Sequence, residues 1–405
     1  MSNYWKHVSV VFSGAVVAQL IPIIGTLFIA RIYTPADYGA YSFWLAVVLI
    51  LTVALTLRYE AAIALENDGD ERSIAVLAIL LTIVFIAGIV AVGLLIVCIL
   101  FPELVERFSE QAVISLVPAS VLLSGNMVLQ SWAAADGRYH QLNLLRLVFA
   151  GLVTTLQILG GLVCASELTL LLMHTLGLLF SFCFAFWLKP VRVGSSVSTR
   201  FAVTAFIRRR KRFAIYSLPA DLISSATGQL PLMIVTSRFG SEAGGVLALT
   251  TRILGAPLGL LGKAVLDVFK RYAVIEIKET GSCSEIYIKT FRVLLFGSVL
   301  LTVGVVSFAQ SFFNLAFGAS WGDAGLYAIW LLPLFAMKFM ASPLSYTIYI
   351  VEKQNLDFLW QIGLLVISLI GLLASDSLNS TVLLYSSLGA LMYIVYLILS
   401  FKLSR

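Results

Sequence analysis

The chain has 405 residues, 60% hydrophobic and only 12% charged. Soluble domains carry about 25% charged residues, so this chain cannot hydrate a globular surface and must face lipid. Its net charge of +6, from 27 Lys and Arg against 21 Asp and Glu, comes with no basic soluble domain, which speaks against nucleic acid as a partner and for basic loops on the inner side of a membrane.

A helical crossing needs about 20 apolar residues. Twelve such stretches are expected, near 8–30, 38–57, 74–101, 112–133, 143–164, 167–188, 213–236, 245–266, 290–315, 324–351, 358–375 and 380–401. The first follows Lys6 and His7. It exceeds the roughly 7–15 apolar residues of a signal peptide and reads as an uncleaved span. The second closes on Arg58, Tyr59 and Glu60, where a gate or a salt-bridged helix end would serve. The next inner loop carries Asp68-Gly69-Asp70, spelled like a metal-binding DxD but without a nucleotide-binding domain around it. Arg146 opens the fifth span, either guiding an anion or anchoring the helix, and His174 lies about two turns into the sixth.

The longest inner loop, 189–212, contains Arg208-Arg209-Arg210-Lys211-Arg212 and is expected to be an inter-lobe linker that locks topology, or else a contact for anionic lipid or a partner. Asp221 follows Pro219 about two turns into the seventh span. Asp221 and His174 are candidates for a coupling proton or for plain structural hydrogen bonds, because burial moves such groups toward physiological pH. Arg252 sits near the middle of the eighth span and Lys338 in the middle of the tenth, neither with an acidic residue one turn away. A charge at that depth costs at least about 2.5–3.5 kcal/mol, so both are expected to face a cavity and an anionic ligand. Arg suits a phosphate because its planar fork donates two hydrogen bonds. Pro22, Pro118, Pro219, Pro231, Pro257, Pro333 and Pro343 interrupt spans, as bending points or cavity walls do.

With the N-terminus inside, the inner segments hold 22 cations and the outer loops three, Arg31, Arg107 and Arg238; Arg252 and Lys338 are the remaining two. That asymmetry places both termini in the cytoplasm. The halves are alike. Arg31-Ile32-Tyr33-Thr34-Pro35-Ala36-Asp37-Tyr38-Gly39 and Arg238-Phe239-Gly240-Ser241-Glu242-Ala243-Gly244-Gly245 both run from an Arg at a helix end through a short turn with an acid to glycine. Six spans per half give a parallel repeat: an N-terminal lobe 1–188, a basic cytoplasmic linker 189–212 and a C-terminal lobe 213–405. Gly259-Leu260-Leu261-Gly262-Lys263-Ala264 lacks the spacing of a Walker A loop. Cys98, Cys164, Cys183 and Cys283 form no CxxC pair and read as packing residues. No cofactor or metal is implied, and the short outer loops argue against an enzyme of the outer face.

Three segments carry a family resemblance: Ala30 to Ser42, Leu57 to Leu65, and Thr251-Arg252-Ile253-Leu254-Gly255-Ala256-Pro257-Leu258-Gly259 running on to Val265. They resemble the bacterial polysaccharide-biosynthesis flippases, the Wzx-type exporters of O-antigen and capsule units within the MATE-like superfamily. The resemblance implies an all-α membrane fold of two six-helix lobes related by pseudo-two-fold symmetry. It implies an undecaprenyl-diphosphate-linked oligosaccharide as substrate, flipped from the inner to the outer leaflet of the bacterial cytoplasmic membrane. Membrane lipids, a polysaccharide polymerase and chain-length proteins would be partners. Arg252, Lys338 and Arg146 are the substrate-binding candidates, and Arg58, Glu60, Asp221 and His174 the gating or coupling candidates. Three rivals stand beside this reading. A MATE-type drug/cation antiporter would favour acidic cavity residues, and the first span has none. A polymerase or ligase would carry a large outer loop. A peptidoglycan-precursor flippase typically has two extra spans.

Overall fold

The computed structural model describes residues 2–100, 109–188 and 198–405. The expected outer loop with Arg107 and the first half of the expected basic linker, 189–197, lie outside the described residues. The described chain is helical: α1 (Ser2–Ile32), α2 (Pro35–Thr56), α3 (Asp70–Leu100), α4 (Glu110–Ala135), α5 (Tyr139–Val163), α6 (Glu167–Leu188), α7 (Ser198–Arg212), α8 (Leu218–Phe239), α9 (Ser241–Thr280), α10 (Ser284–Phe317), α11 (Asp323–Leu344), the single turn α12 (Thr347–Ile350), α13 (Gln354–Leu373) and α14 (Leu378–Ser404). A 3₁₀ turn, Tyr59–Leu65, follows α2, and a π turn, Phe213–Ser217, joins α7 to α8.

Side-chain caps start two of these helices. Ser109 accepts from the Ala112 amide at α4 and Ser377 from the Ser380 amide at α14. α9 begins after Gly240 (φ 92°) and stops at Gly281 (φ 78°), left-handed positions that glycine adopts without strain. Between those glycines α9 runs 40 residues, or about 60 Å at 1.5 Å per residue. That is twice the hydrocarbon thickness, so its last turns must project beyond the membrane.

Among the described residues, eleven segments are long and apolar enough to cross a membrane. α8 is not among them: its 22 residues include Asp221, Ser224, Ser225, Thr227 and Gln229, and only Pro231 and Val235 are buried. The expected seventh span is therefore a helix of crossing length with too polar a composition to face lipid all round. The second half of the expected linker is also helical, not irregular. Phe206 of α7 is buried against Tyr59, and Val203 and Ile207 pack on the same core.

The chain forms two compact units, 1–33 with 40–229, and 34–39 with 230–405. In the first, α4 packs between α3 and α6, α5 joins α6 to α1, and α7 lies on α3. Its core gathers Leu55, Ile63, Ile79, Leu129, Trp132, Leu142 and Phe206. In the second, α11 packs between α10 and α14, α14 also meets α13, and α9 lies on α11. Phe269, Tyr287, Leu294 and Phe339 fill one core cluster, and Leu334, Ile348 and Tyr396 another. Three pairings recur in corresponding places: α3 with α4, α4 with α6 and α5 with α6 in the first unit, α10 with α11, α11 with α14 and α13 with α14 in the second.

Candidate functional site

α9 carries Arg252, Gly255, Gly259, Gly262 and Lys263. At 100° per residue all five fall on one face of the helix. Opposite the lower part of this face, α11 presents Phe335, Lys338, Phe339 and Ser342. The two helices frame a cavity of about 260 Å³ in the second unit, also lined by Leu258 and Leu266. The glycines leave room that longer side chains would fill. Lys338 lies mid-helix yet is exposed, because it faces this space, and Lys263 is exposed beside it. Neither lysine forms an ion pair among the described residues.

Arg252, one turn before Gly255, is half-buried and donates to the Tyr38 hydroxyl at 3.1 Å. Tyr38 is held edge-on against Trp321, with ring centroids 5.8 Å apart. Its segment, 34–39, packs backbone to backbone on the start of α9. A Cβ on Gly39 would overlap the Ser241 carbonyl oxygen and come within 2.6 Å of the Gly245 nitrogen. One on Gly245 would overlap the Pro35 carbonyl oxygen and come within 3.0 Å of the Gly39 nitrogen. The two copies of the repeated turn therefore meet each other reciprocally, in one register, and this seat aims Tyr38 at Arg252.

The first unit treats its charges differently. Leu57 (φ 47°) and Arg58 (φ 65°) are left-handed non-glycine residues in succession, a strained bend that ends α2. Arg58 donates through Nη1 to Glu60 at 2.8 Å and through Nε to Asp221. Partial burial works against the charge on Arg58, but the two carboxylates outweigh it and hold its pKa above the ordinary value. Three gating candidates thus converge, and Asp221 stands in the first turn of α8 rather than two turns in. The second carboxylate oxygen of Glu60 is buried without a hydrogen-bond partner.

His174, the fourth candidate, is buried elsewhere in this unit. Its Nδ1 is 2.9 Å from the Tyr41 hydroxyl, and its ring lies 5.6 Å from Trp44, edge-on. Arg146 is half-buried on α5, away from any carboxylate at ion-pair distance among the described residues. It belongs to the first unit, whereas Arg252 and Lys338 belong to the second. Asp68 of the DxD spelling pairs with Arg72 at 2.6 Å, and Gly69 (φ 91°) leads Asp70 into α3, so the motif starts a helix.

Three parts of this site carry no clear signal in the sequence. Lys263 counted only as an inner-loop cation, because the length of α9 was not apparent. Tyr38 gave no signal of its own. Glu66 is fully buried between Arg209 and Arg210, the latter at 2.7 Å. Arg72 beside it bridges Asp136 at 2.9 Å and the Glu66 carbonyl at 3.0 Å.

The family model described as "Polysaccharide biosynthesis protein" matches residues 28–325. No curated protein matches significantly. Among solved structures, the inward closed conformation of the lipid II flippase MurJ is similar with a TM-score of 0.71 at 13% identity, covering 96% of this chain and 87% of that one. An inward-facing multidrug resistance MATE family transporter of the MOP superfamily scores 0.62 at 12% identity, with 95% and 93% covered. A MOP superfamily transporter from Pyrococcus furiosus, whose binding pocket is described as of reverse polarity, scores 0.60 at 14% identity, with 96% and 93% covered. At these identities the likeness is one of fold.

Proposed function

We propose that this chain, which belongs to the polysaccharide biosynthesis protein family, is a flippase that carries an undecaprenyl-diphosphate-linked oligosaccharide repeat unit, of O-antigen or capsule type, from the inner to the outer leaflet of the bacterial cytoplasmic membrane. The observation that carries this reading is the cavity between α9 and α11. Two lysines without a carboxylate partner among the described residues line it, three glycines open it, and Arg252 stands above it on the same helix face. Leaving the mid-helix ammonium group of Lys338 without counter-charge is costly, and a visiting diphosphate removes the cost. Charge-assisted hydrogen bonds to its oxygens are worth about 1.5–3 kcal/mol each.

In this reading the diphosphate sits against Lys338 and Lys263 and passes toward Arg252, with Arg146 guiding its approach, while the polyprenyl tail stays in hydrocarbon. The chain crosses the membrane twelve times with both termini in the cytoplasm, and α8 crosses with its polar face toward water. Two six-helix lobes, 1–188 and 213–405, alternate access. The Arg58, Glu60 and Asp221 cluster acts as a gate that parts and re-forms, and His174 or Asp221 couples transport to an ion gradient. A drug/cation antiporter fits the cavity poorly, because two cations repel a cationic drug.

The test is export in a deletion strain. Arg252→Ala combined with Lys338→Ala is expected to abolish surface polysaccharide and to leave lipid-linked units on the inner leaflet, with the protein folded and at normal abundance. Wild-type export from that double variant would refute the site.

A further inference from the structure

The run Arg208-Arg209-Arg210-Lys211-Arg212 is not one patch but two. Arg209 and Arg210 turn toward the first unit and clamp the buried carboxylate of Glu66, and Arg210 also donates to the Leu65 carbonyl at 3.0 Å. They share the docked side of α7 with Phe206, Val203 and Ile207. At 100° per residue, Arg208, Lys211 and Arg212 fall on the opposite side, together with Phe201, Thr204 and Ala205. Every one of those six residues is exposed, Phe201 at 80%. The three cations make no ion pair among the described residues. Just past them, Ile215 and Tyr216 of the π turn are 55% and 71% exposed.

A solvent-facing helix side would not place an aromatic ring, three cations and two further apolar side chains beside α8, the helix proposed above to cross the membrane. That mixture suits the zone between headgroups and acyl chains, where apolar rings enter and cations meet phosphates.

We propose that this exposed side of α7, with the adjoining π turn, is a binding surface for the headgroups of anionic phospholipids. Arg208, Lys211 and Arg212 contact the phosphates, and Phe201, Ile215 and Tyr216 insert between the acyl chains. Arg209 and Arg210 take no part in the lipid contact and fasten the helix to the protein. The natural leaflet of this contact rests on the orientation proposed above, but the surface itself does not. Each cation near an anionic surface contributes about a fivefold preference, so the three together favour an anionic over a zwitterionic headgroup about a hundredfold.

The experiment uses the full chain in detergent, titrated with phosphatidylglycerol or phosphatidylcholine, with retained lipid counted by native mass spectrometry. Arg208→Gln with Lys211→Gln and Arg212→Gln is expected to remove most of the preference for phosphatidylglycerol while the thermal midpoint stays put. Arg209→Gln with Arg210→Gln is expected to lower the thermal midpoint and to leave the preference largely intact. Nanodiscs of each lipid, with the same composition in both leaflets, give the same comparison whichever way the chain inserts. Inorganic phosphate at the same concentration is expected not to compete; competition by it would mean a free-anion site and overturn the lipid assignment. An unchanged phosphatidylglycerol preference in the triple variant would also overturn it. Export plays no part in these readouts, so a failure of the flippase reading is scored separately.

Discussion

In the first unit, three sets of cations are met by acids. Arg58 has Glu60 and Asp221, Arg72 has Asp68 and Asp136, and Arg209 and Arg210 share Glu66. In the second unit, Lys263 and Lys338 share a cavity and have no acid at all among the described residues. The same chemical resource serves two ends. Paired charges fasten α7 and the start of α8 to the end of α2, while the unpaired lysines hold a site ready for an anion.

Replacing one member of each class breaks the comparison most sharply. Lys338→Gln is expected to reduce export about a hundredfold, and Lys263→Gln about tenfold, on losing charge-assisted bonds of roughly 1.5–3 kcal/mol. Neither should lower the thermal midpoint, since each removes an uncompensated charge. Arg72→Ala should behave in the opposite way. Its side chain is 6% exposed, and its loss takes one of the bonds to Asp136, which stays paired with Arg138, and the donor to the Glu66 carbonyl. Leaving that buried carbonyl unsatisfied costs about 1–3 kcal/mol, read as a fall in thermal midpoint or in folded yield.

The seat that aims Tyr38 comes next. Gly39→Ala forces a methyl into the Ser241 carbonyl and should cost about 1–3 kcal/mol, with export impaired and Lys338-dependent anion binding retained. The Arg58–Asp221 pair is about one-third exposed on both sides, so solvent screening keeps its worth below about 1 kcal/mol. Asp221→Asn should therefore barely move stability, and a marked change in export would identify the pair as a gate. The smallest effect tests orientation. Cys164 is exposed at the end of α5, and an impermeant maleimide added outside should label it. Cys283 is buried, and burial together with the charge of Glu276 pushes its thiol up to about 11, so it should stay unlabelled at neutral pH.

Much of this was legible in the sequence. Apolar stretches of crossing length marked all but one of the long helices, because lipid imposes that composition directly. α7 was hidden because its cations read as a loop, although Phe206, Val203 and Ile207 recur at helical spacing. The mid-span positions of Arg252 and Lys338 were visible, since a cation among apolar residues stands out wherever it points. What faced them was not. A helical period says which residues share a side, not what lies across from it. The Arg58 and Asp221 partners are 163 residues apart, and Lys263 entered the cavity only because α9 continues unbroken to Thr280. The repeated turn was visible as a motif, but the reciprocal fit of Gly39 and Gly245 is a property of backbones in space.

The most direct measurement is the affinity of the purified protein, in nanodiscs, for undecaprenyl diphosphate against undecaprenol. A cationic seat for the diphosphate predicts a strong preference for the diphosphate in the wild type and its collapse in the variant with both Lys263→Gln and Lys338→Gln. Equal binding of the two lipids, or a preference untouched by that variant, would contradict it.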